Sequence, residues 1–233
     1  MPGLAQASAF AWQRDAHCLR IHLIEFEPAS FHLAAFARAG IALPAAIERS
    51  VPRRQCEYFF GRLAASAALA EIGVENARVD TGSRREPIWP PGIVGSITHN
   101  ARYAAASVAQ AASWRGIGVD IEERIAEEAL ASVEQIGLSA DERQRLHAPG
   151  HPPYALAVTL AFSAKESFYK AIFPTVGRFV DFDAIRIDAI DLEPGRIRFT
   201  TQETLCPDWP AGRSSAIAFR LLPGGEVMTC FSW

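Results

Sequence analysis

Asp120 and Glu122 stand two residues apart at the end of an apolar run, in "GIGVDIEERI" (Gly116–Ile125). Alternate side chains of a strand project to one side, so both carboxylates are expected to point together from a strand end. Paired carboxylates repel unless something positive lies between them. A third carboxylate, Glu166, falls in "FSAKESFYK" (Phe162–Lys170), which also holds Lys165 and Lys170. Three carboxylates, with no Cys or His at zinc spacing, describe a hard-oxygen site. Mg2+ suits it, because that ion takes few protein carboxylates and completes its shell with water and phosphate. The adjacent lysines, with Arg54, Arg62, Arg84 and Arg85 elsewhere, suggest a polyphosphate ligand. In "GSITHN" (Gly95–Asn100), Thr98 and His99 offer a hydroxyl and an imidazole to an anion.

Each piece has a plainer reading when taken alone. Glu166 and Lys170, at (i, i+4), make an ordinary surface ion pair of a helix. His99 suits a structural hydrogen bond, and the arginines suit solvated charge.

The strand that delivers Asp120 is one of three short ones, "IVGSIT", "YAAASVA" and "GIGVDIE", which follow a turn-rich loop at Thr81–Gly92. Ahead of that loop, "CLRIHLIEF" (Cys18–Phe26) alternates as a strand, and "FHLAAFARAG" reads as a short helix ended by Gly40. A longer helix is expected from Pro52, a favoured first-turn residue, to Gly73, a natural C-terminal stop. It carries Arg53, Arg54 and Arg62. The second half opens with polar helical sequence. "SADE" (Ser139–Glu142) is a capping box that starts a helix, and "HAPGHPP" breaks it. The next helix is predicted from Tyr154 to Phe173, stopped before Pro174. Its Ala161, Ala164, Phe168, Ala171 and Ile172 share an inward face, with Phe162, Glu166, Tyr169 and Lys170 opposite and Lys165 on the flank. The tail alternates in "AIRIDAI", "GRIRFT", "AIAFRLL" and "MTCFSW", an antiparallel meander. The fold class is therefore α+β, in two halves over residues 1–114 and 115–233, each with a small antiparallel sheet and a long helix. The second half carries the acidic residues, and a cleft between the halves is the expected pocket.

Composition narrows the function classes. Apolar residues make up 49% and charged residues 21%, the profile of a soluble globular protein. With 23 basic and 26 acidic residues, the net charge of -3 provides no global field for nucleic acid or an anionic membrane. Cys18, Cys56, Cys206 and Cys230 are scattered and read as reduced thiols of a cytoplasmic protein. No signal peptide is read, and the longest apolar run, "YALAVTLAF", is far short of the roughly 18 residues that span a bilayer.

"GVDIEE" followed by "FSAKESFYK" resembles the paired signature of 4′-phosphopantetheinyl transferases. "REPIWPPGIVGSITHN" and "RRQCEYFFGRLAA" are similar to the variant in the surfactin- and enterobactin-synthesis class, so the resemblance covers Val51 to Phe182. It implies a monomeric pseudo-dimer of two α+β halves with coenzyme A between them. It also implies transfer of the phosphopantetheine arm to a serine of an apo acyl- or peptidyl-carrier protein, releasing adenosine 3′,5′-bisphosphate. Carried over, Asp120, Glu122 and Glu166 hold Mg2+, while Arg54, Arg62, Thr98, His99, Lys165 and Lys170 contact coenzyme A, with Arg84 or Arg85 adding a basic contact. Glu166 is the candidate base for the serine proton, directly or through a metal-bound water, Lys170 would neutralise the pyrophosphate or its leaving group, and Asp120 completes the catalytic set. Arg178 and Phe179 are a candidate part of the carrier contact. A Mg2+-dependent nucleotide pyrophosphatase and a non-catalytic coenzyme A or carrier-binding module share much of this logic and remain alternatives.

Overall fold

The computed structural model describes residues 1, 3–14 and 17–233. The chain divides into two compact units, Met1–Arg115 and Gly116–Trp233. Both are α+β with antiparallel sheets, as the alternating and helical stretches predict.

In the first unit, β1 (Leu4–Arg14) and β2 (His17–Phe26) pair antiparallel. Two short helices follow, α1 (Ala34–Ala39) and α2 (Ala45–Glu48). Gly40 ends α1 in the left-handed region at φ 65°, a conformation that favours glycine. The long helix α3 (Pro52–Glu71) starts with Pro52 in its first turn and ends just before Gly73. The expected loop at Thr81–Gly92 contains a small hairpin, β3 (Asp80–Thr81) with β4 (Pro87–Ile88). Strands β5 (Ile93–His99) and β6 (Tyr103–Gln110) complete a sheet ordered β1-β2-β6-β5. Phe59 and Phe60 of α3 are buried with Phe26 and Phe36, and Phe26 stacks on Phe60 at 4.6 Å between centroids. The strand β1 was not anticipated: residues 4–12, "LAQASAFAW", are largely exposed and small-residue-rich, so they lack the apolar alternation that marks a half-buried strand.

The second unit begins with β7 (Ile117–Glu122), followed by α4 (Glu127–Gly137) and α5 (Ala140–Leu146). Ser139 caps α5 with the reciprocal bonds of a capping box. The helix α6 (Tyr154–Val176) runs through Pro174, beyond its expected stop at Phe173. Pro174 donates no N–H and its ring crowds the carbonyl four residues back, so the helix continues only two residues past it. Closure then comes from Gly177, left-handed at φ 65°, whose N–H donates to the Phe173 carbonyl at 2.8 Å. The meander is β8 (Ile185–Asp191), β9 (Arg196–Thr201), β10 (Ser214–Leu221) and β11 (Val227–Ser232), with β7 added beyond β11. Its core is aromatic: Phe168 of α6 meets Phe199, Trp209 and Phe231.

The five inward residues predicted for α6 are all buried. How close α6 lies to β7 is set by glycine. A Cβ on Gly118 would meet the Ser167 carbonyl oxygen at 1.7 Å, and one on Gly116 would meet that of Ala171 at 2.0 Å. Strand and helix backbones thus touch where a side chain would intervene. Gly118→Ala is expected to lower stability by about 1–3 kcal/mol or more, the scale of overpacking into rigid surroundings. Thermal melting checks this, and an unchanged Tm would show that the approach is looser than described.

Candidate functional site

Close approach of α6 brings Asp120, two residues beyond Gly118, beneath the polar residues of that helix. Asp120 is buried at 3% exposure. Its Oδ2 accepts from Ser163 Oγ at 2.8 Å and its Oδ1 from Lys170 Nζ at 2.6 Å. Lys170 Nζ also donates to the Val119 carbonyl at 3.3 Å. An ammonium therefore stands against this buried carboxylate. Glu122 and Glu166 complete the acidic group, both partly exposed.

The charges act on one another. Burial, reinforced by Asp120, pushes the Glu122 carboxyl up to about 8, although Lys170 works against that. Glu166 is also raised, by burial first and then by Asp120, with Lys170 opposing. Burial disfavours the Lys170 ammonium, yet Asp120, Glu166 and Glu122 together outweigh it and hold its pKa above the ordinary value. Negative charge thus exceeds what Lys170 balances, in a place water solvates poorly. Among the described residues, no three His, Cys, Asp or Glu side chains stand ready to hold a metal ion. The donor chemistry still fits a hard cation such as Mg2+: the side chains gathered here end in carboxylate oxygens, and the raised pKa values of Glu122 and Glu166 express a deficit of positive charge.

Lys165 differs from its expected place on the flank. Its side chain is 2% exposed and its Nζ lies 2.8 Å from Glu142 Oε1 and 2.9 Å from Oε2. Glu142 Oε1 also accepts from the Ile187 N–H at 2.7 Å, and Oε2 from the Ser139 N–H at 2.8 Å. One carboxylate thereby ties α5, α6 and β8 together. Burial depresses the Lys165 pKa, and Glu142 opposes the fall. Helical phase alone misplaced Lys165, because its long stem reaches past the flank to a buried partner.

In the first unit, Arg54 and His99 come together: Arg54 Nη1 stands 2.7 Å from His99 Nε2. With arginine as the donor, that ring nitrogen is the acceptor. The other ring nitrogen, Nδ1, lies 3.6 Å from Glu57 Oε2, and Arg53 Nε donates to Glu57 Oε1 at 2.8 Å. Thr98 is buried, and strand alternation sends it to the face opposite His99, so the two do not present a joint anion site. Arg62 donates to the Val79 carbonyl at 2.9 Å and to Thr81 Oγ1 at 2.8 Å, and lies over the Tyr58 ring. It also lines a cavity of about 740 Å3 with Tyr58, Ser66, Leu69, Asn76 and Arg78. The Arg84 N–H donates to Glu86 Oε2 at 2.8 Å within the small hairpin, and Arg85 is left-handed at φ 70°.

Three polar residues went unrecognised from sequence. Ser163 is a small polar residue among inward alanines, and that was its signal. Glu142 was visible only as part of a cap. Glu57 was legible as a partner three and four residues beyond Arg54 and Arg53.

Two expectations follow. The folded protein keeps a proton on Glu122 where the unfolded chain, ionising near 4.5, has lost it. The folded state then binds more protons, so this contribution is full below about 4.5 and is lost as pH rises toward about 8. Metal-free wild type should therefore lose Tm from about pH 5 to pH 8 relative to Glu122→Gln, and parallel curves would contradict the shift. Separately, Glu142→Gln or Lys165→Met should each cost about 3–5 kcal/mol by stranding a buried charge, and the double variant less than their sum. Denaturant unfolding measures both, and additive losses would break the pair apart.

Comparison with known proteins matches residues 43–109 to the 4′-phosphopantetheinyl transferase N-terminal domain and residues 116–219 to the 4′-phosphopantetheinyl transferase superfamily. Enterobactin synthase component D of Salmonella typhi is 34% identical over 82% of this chain and 80% of its own length. The protein of the same name from Escherichia coli K12 is 35% identical over 71% of this chain and 77% of its own. The 4′-phosphopantetheinyl transferase Svp of Streptomyces mobaraensis is 35% identical over 64% and 60%.

Proposed function

Because the chain belongs to the 4′-phosphopantetheinyl transferase superfamily, and so moves a 4′-phosphopantetheine arm onto a carrier protein, we propose that Asp120, Glu166 and Lys170 carry the transfer. The observation behind this is the Lys170 ammonium, 2.6 Å from Asp120 and flanked by two carboxyls whose pKa values are raised.

The donor is coenzyme A. The carrier serine oxygen forms a bond to the phosphorus that bears pantetheine, and the bond to the bridging pyrophosphate oxygen breaks, releasing adenosine 3′,5′-bisphosphate. Such a step asks chiefly for alignment and charge neutralisation. Glu166, as the carboxylate, takes the serine proton directly or through a water it holds. Lys170 balances charge on the pyrophosphate, and Asp120 fixes the position of that ammonium. Asp120, Glu122 and Glu166 would hold Mg2+, which when bound supplies a Lewis acid for the phosphate oxygens.

In the first unit, the Arg54 and His99 pair would take a phosphate of coenzyme A. Arg62, which lines a cavity, is a further proposed contact, as are Thr98 and Arg84. Lys165, enclosed with Glu142, is suited to holding α6 rather than touching the donor. Both family domains occur in one chain, which supports a monomer. Relatives named as enterobactin synthase components favour a carrier in siderophore or other secondary-metabolite assembly. Among the described residues no helix is long and apolar enough to cross a membrane.

Incubation with coenzyme A, Mg2+ and an apo peptidyl-carrier domain, followed by weighing the carrier, tests the proposal. Wild type should add the phosphopantetheine arm. Lys170→Ala should slow addition by at least about a hundredfold, the scale of a lost charge-stabilising donor. Lys170→Arg should remain impaired, because a planar guanidinium misfits a site built around a compact ammonium. Coenzyme A cleaved with the carrier mass unchanged would point to a pyrophosphatase instead. Full transfer by both variants would remove Lys170 from the mechanism.

A further inference from the structure

Thr229 of β11 pairs directly opposite Asp120 of β7. Opposed residues of an antiparallel pair project to the same face of the sheet, so both side chains point at α6. There Ser163 meets both of them. Its Oγ stands 2.8 Å from Asp120 Oδ2 and 2.9 Å from Thr229 Oγ1. Thr229 Oγ1 also donates to the Ser163 carbonyl oxygen at 2.9 Å. Ser163 and Thr229 are 0% exposed and Asp120 3%, so bulk solvent does not compete for these bonds. Thr229 lies beyond residues 116–219, the segment that matches the superfamily.

The hydrogens of this cluster can be counted. Asp120, a carboxylate facing the Lys170 ammonium, only accepts, and each hydroxyl carries one hydrogen. Ser163 gives its hydrogen to Asp120 Oδ2, so the contact between the two hydroxyls has to be donated by Thr229. The Thr229 hydrogen faces two oxygens of one residue, the hydroxyl and the carbonyl of Ser163. Donation therefore runs one way, from β11 through α6 to Asp120.

Direction matters because of rotation. A carboxylate held at one oxygen can turn about its terminal bond, a broad torsion with low barriers. Asp120 is held at both, by Lys170 on Oδ1 and by Ser163 on Oδ2. Lys170 is the mobile holder, with a long stem and a side chain 27% exposed. Ser163 is short and enclosed. Thr229, β-branched and stiff at χ1, grips it at main chain and side chain together.

We infer that Thr229, acting through Ser163, is a positioning residue for the transfer. The two hydroxyls fix the plane of the Asp120 carboxylate, and with it the Lys170 ammonium that meets the pyrophosphate. The inference rests on Asp120 and Lys170 as the reacting pair. It gives neither hydroxyl a contact with coenzyme A or the carrier.

The test separates hydroxyl from shape. Thr229→Val keeps the shape and removes the hydroxyl, Thr229→Ser does the reverse, and Ser163→Ala removes the middle of the chain. Initial rates of carrier modification, with coenzyme A and an apo peptidyl-carrier domain varied in turn, are read beside Tm. Ser163→Ala should lower kcat about tenfold or more, the scale of a lost hydrogen bond behind a functional carboxylate. Thr229→Val should lower kcat about threefold or more, the scale of one intramolecular hydrogen bond. KM for either substrate should stay near wild type in both. Thr229→Ser should keep kcat near wild type even though its Tm falls, because losing a buried methyl opens a small cavity. A role in packing alone predicts the opposite rank, with Thr229→Ser the slower enzyme. Where Ser163→Ala fails to fold, the two Thr229 variants decide. Wild-type kcat in Thr229→Val overturns the inference, as does an equal loss in Thr229→Ser or a loss confined to KM. Lys170→Ala, run alongside, keeps the two readings apart. If it has lost transfer, any of those results leaves Asp120 and Lys170 as the reacting pair, whereas full transfer by Lys170→Ala removes both.

Discussion

Two backbones meet without side chains between them where β7 runs beneath α6, and the rest of the site depends on that contact. Gly116 and Gly118 face the carbonyls of Ala171 and Ser167 at distances no Cβ tolerates. With the helix this close, short and long polar side chains can reach the same carboxylate, Ser163 on one oxygen of Asp120 and Lys170 on the other. A helix displaced by the width of a methyl group would leave Asp120 buried and short of donors, which is costly for a carboxylate.

Charge is then distributed unevenly, and the unevenness is functional. Asp120 is satisfied, whereas Glu122 and Glu166 are held as reluctant acids by burial and by each other's neighbours. A cation or a proton is welcome there, and the negative phosphate of a donor needs one of them or Lys170 to approach. Behind this group, the Glu142–Lys165 pair is fully enclosed and adds no charge to the site. Its contribution is to tie α5, α6 and β8 at one point, which restrains rotation of α6 and so the direction of Glu166 and Lys170.

Much of this was legible because it is periodic. Alternation marked β2, β7 and the final meander, and the spacing of Ala161, Ala164, Phe168 and Ala171 defined the inward face of α6. Asp120 and Glu122 were legible as a same-side pair on a strand end. What escaped was non-local or depended on the reach of one side chain. Periodicity does not say that Lys165 finds Glu142, or that Ser163 is the donor to Asp120. Nor does it show that Thr98 and His99, neighbours in sequence, face opposite ways until the strand is known to continue through both. The hairpin at Asp80–Thr81 and Pro87–Ile88 is too short for an apolar pattern, and β1 carries almost none. Pro174 marked the stop only to within three residues, because the helix closes at the left-handed cap of Gly177 and not at the proline itself.

The central claim is that Asp120 and Lys170 act on the transferred phosphoryl group as one unit. A double-mutant cycle with Asp120→Asn and Lys170→Met, read as the initial rate of carrier modification at saturating coenzyme A and carrier, tests it most directly. If the pair is one unit, each single variant loses most of the rate and the double variant loses no more than the worse single. Losses that multiply would show two residues working independently and would contradict the account.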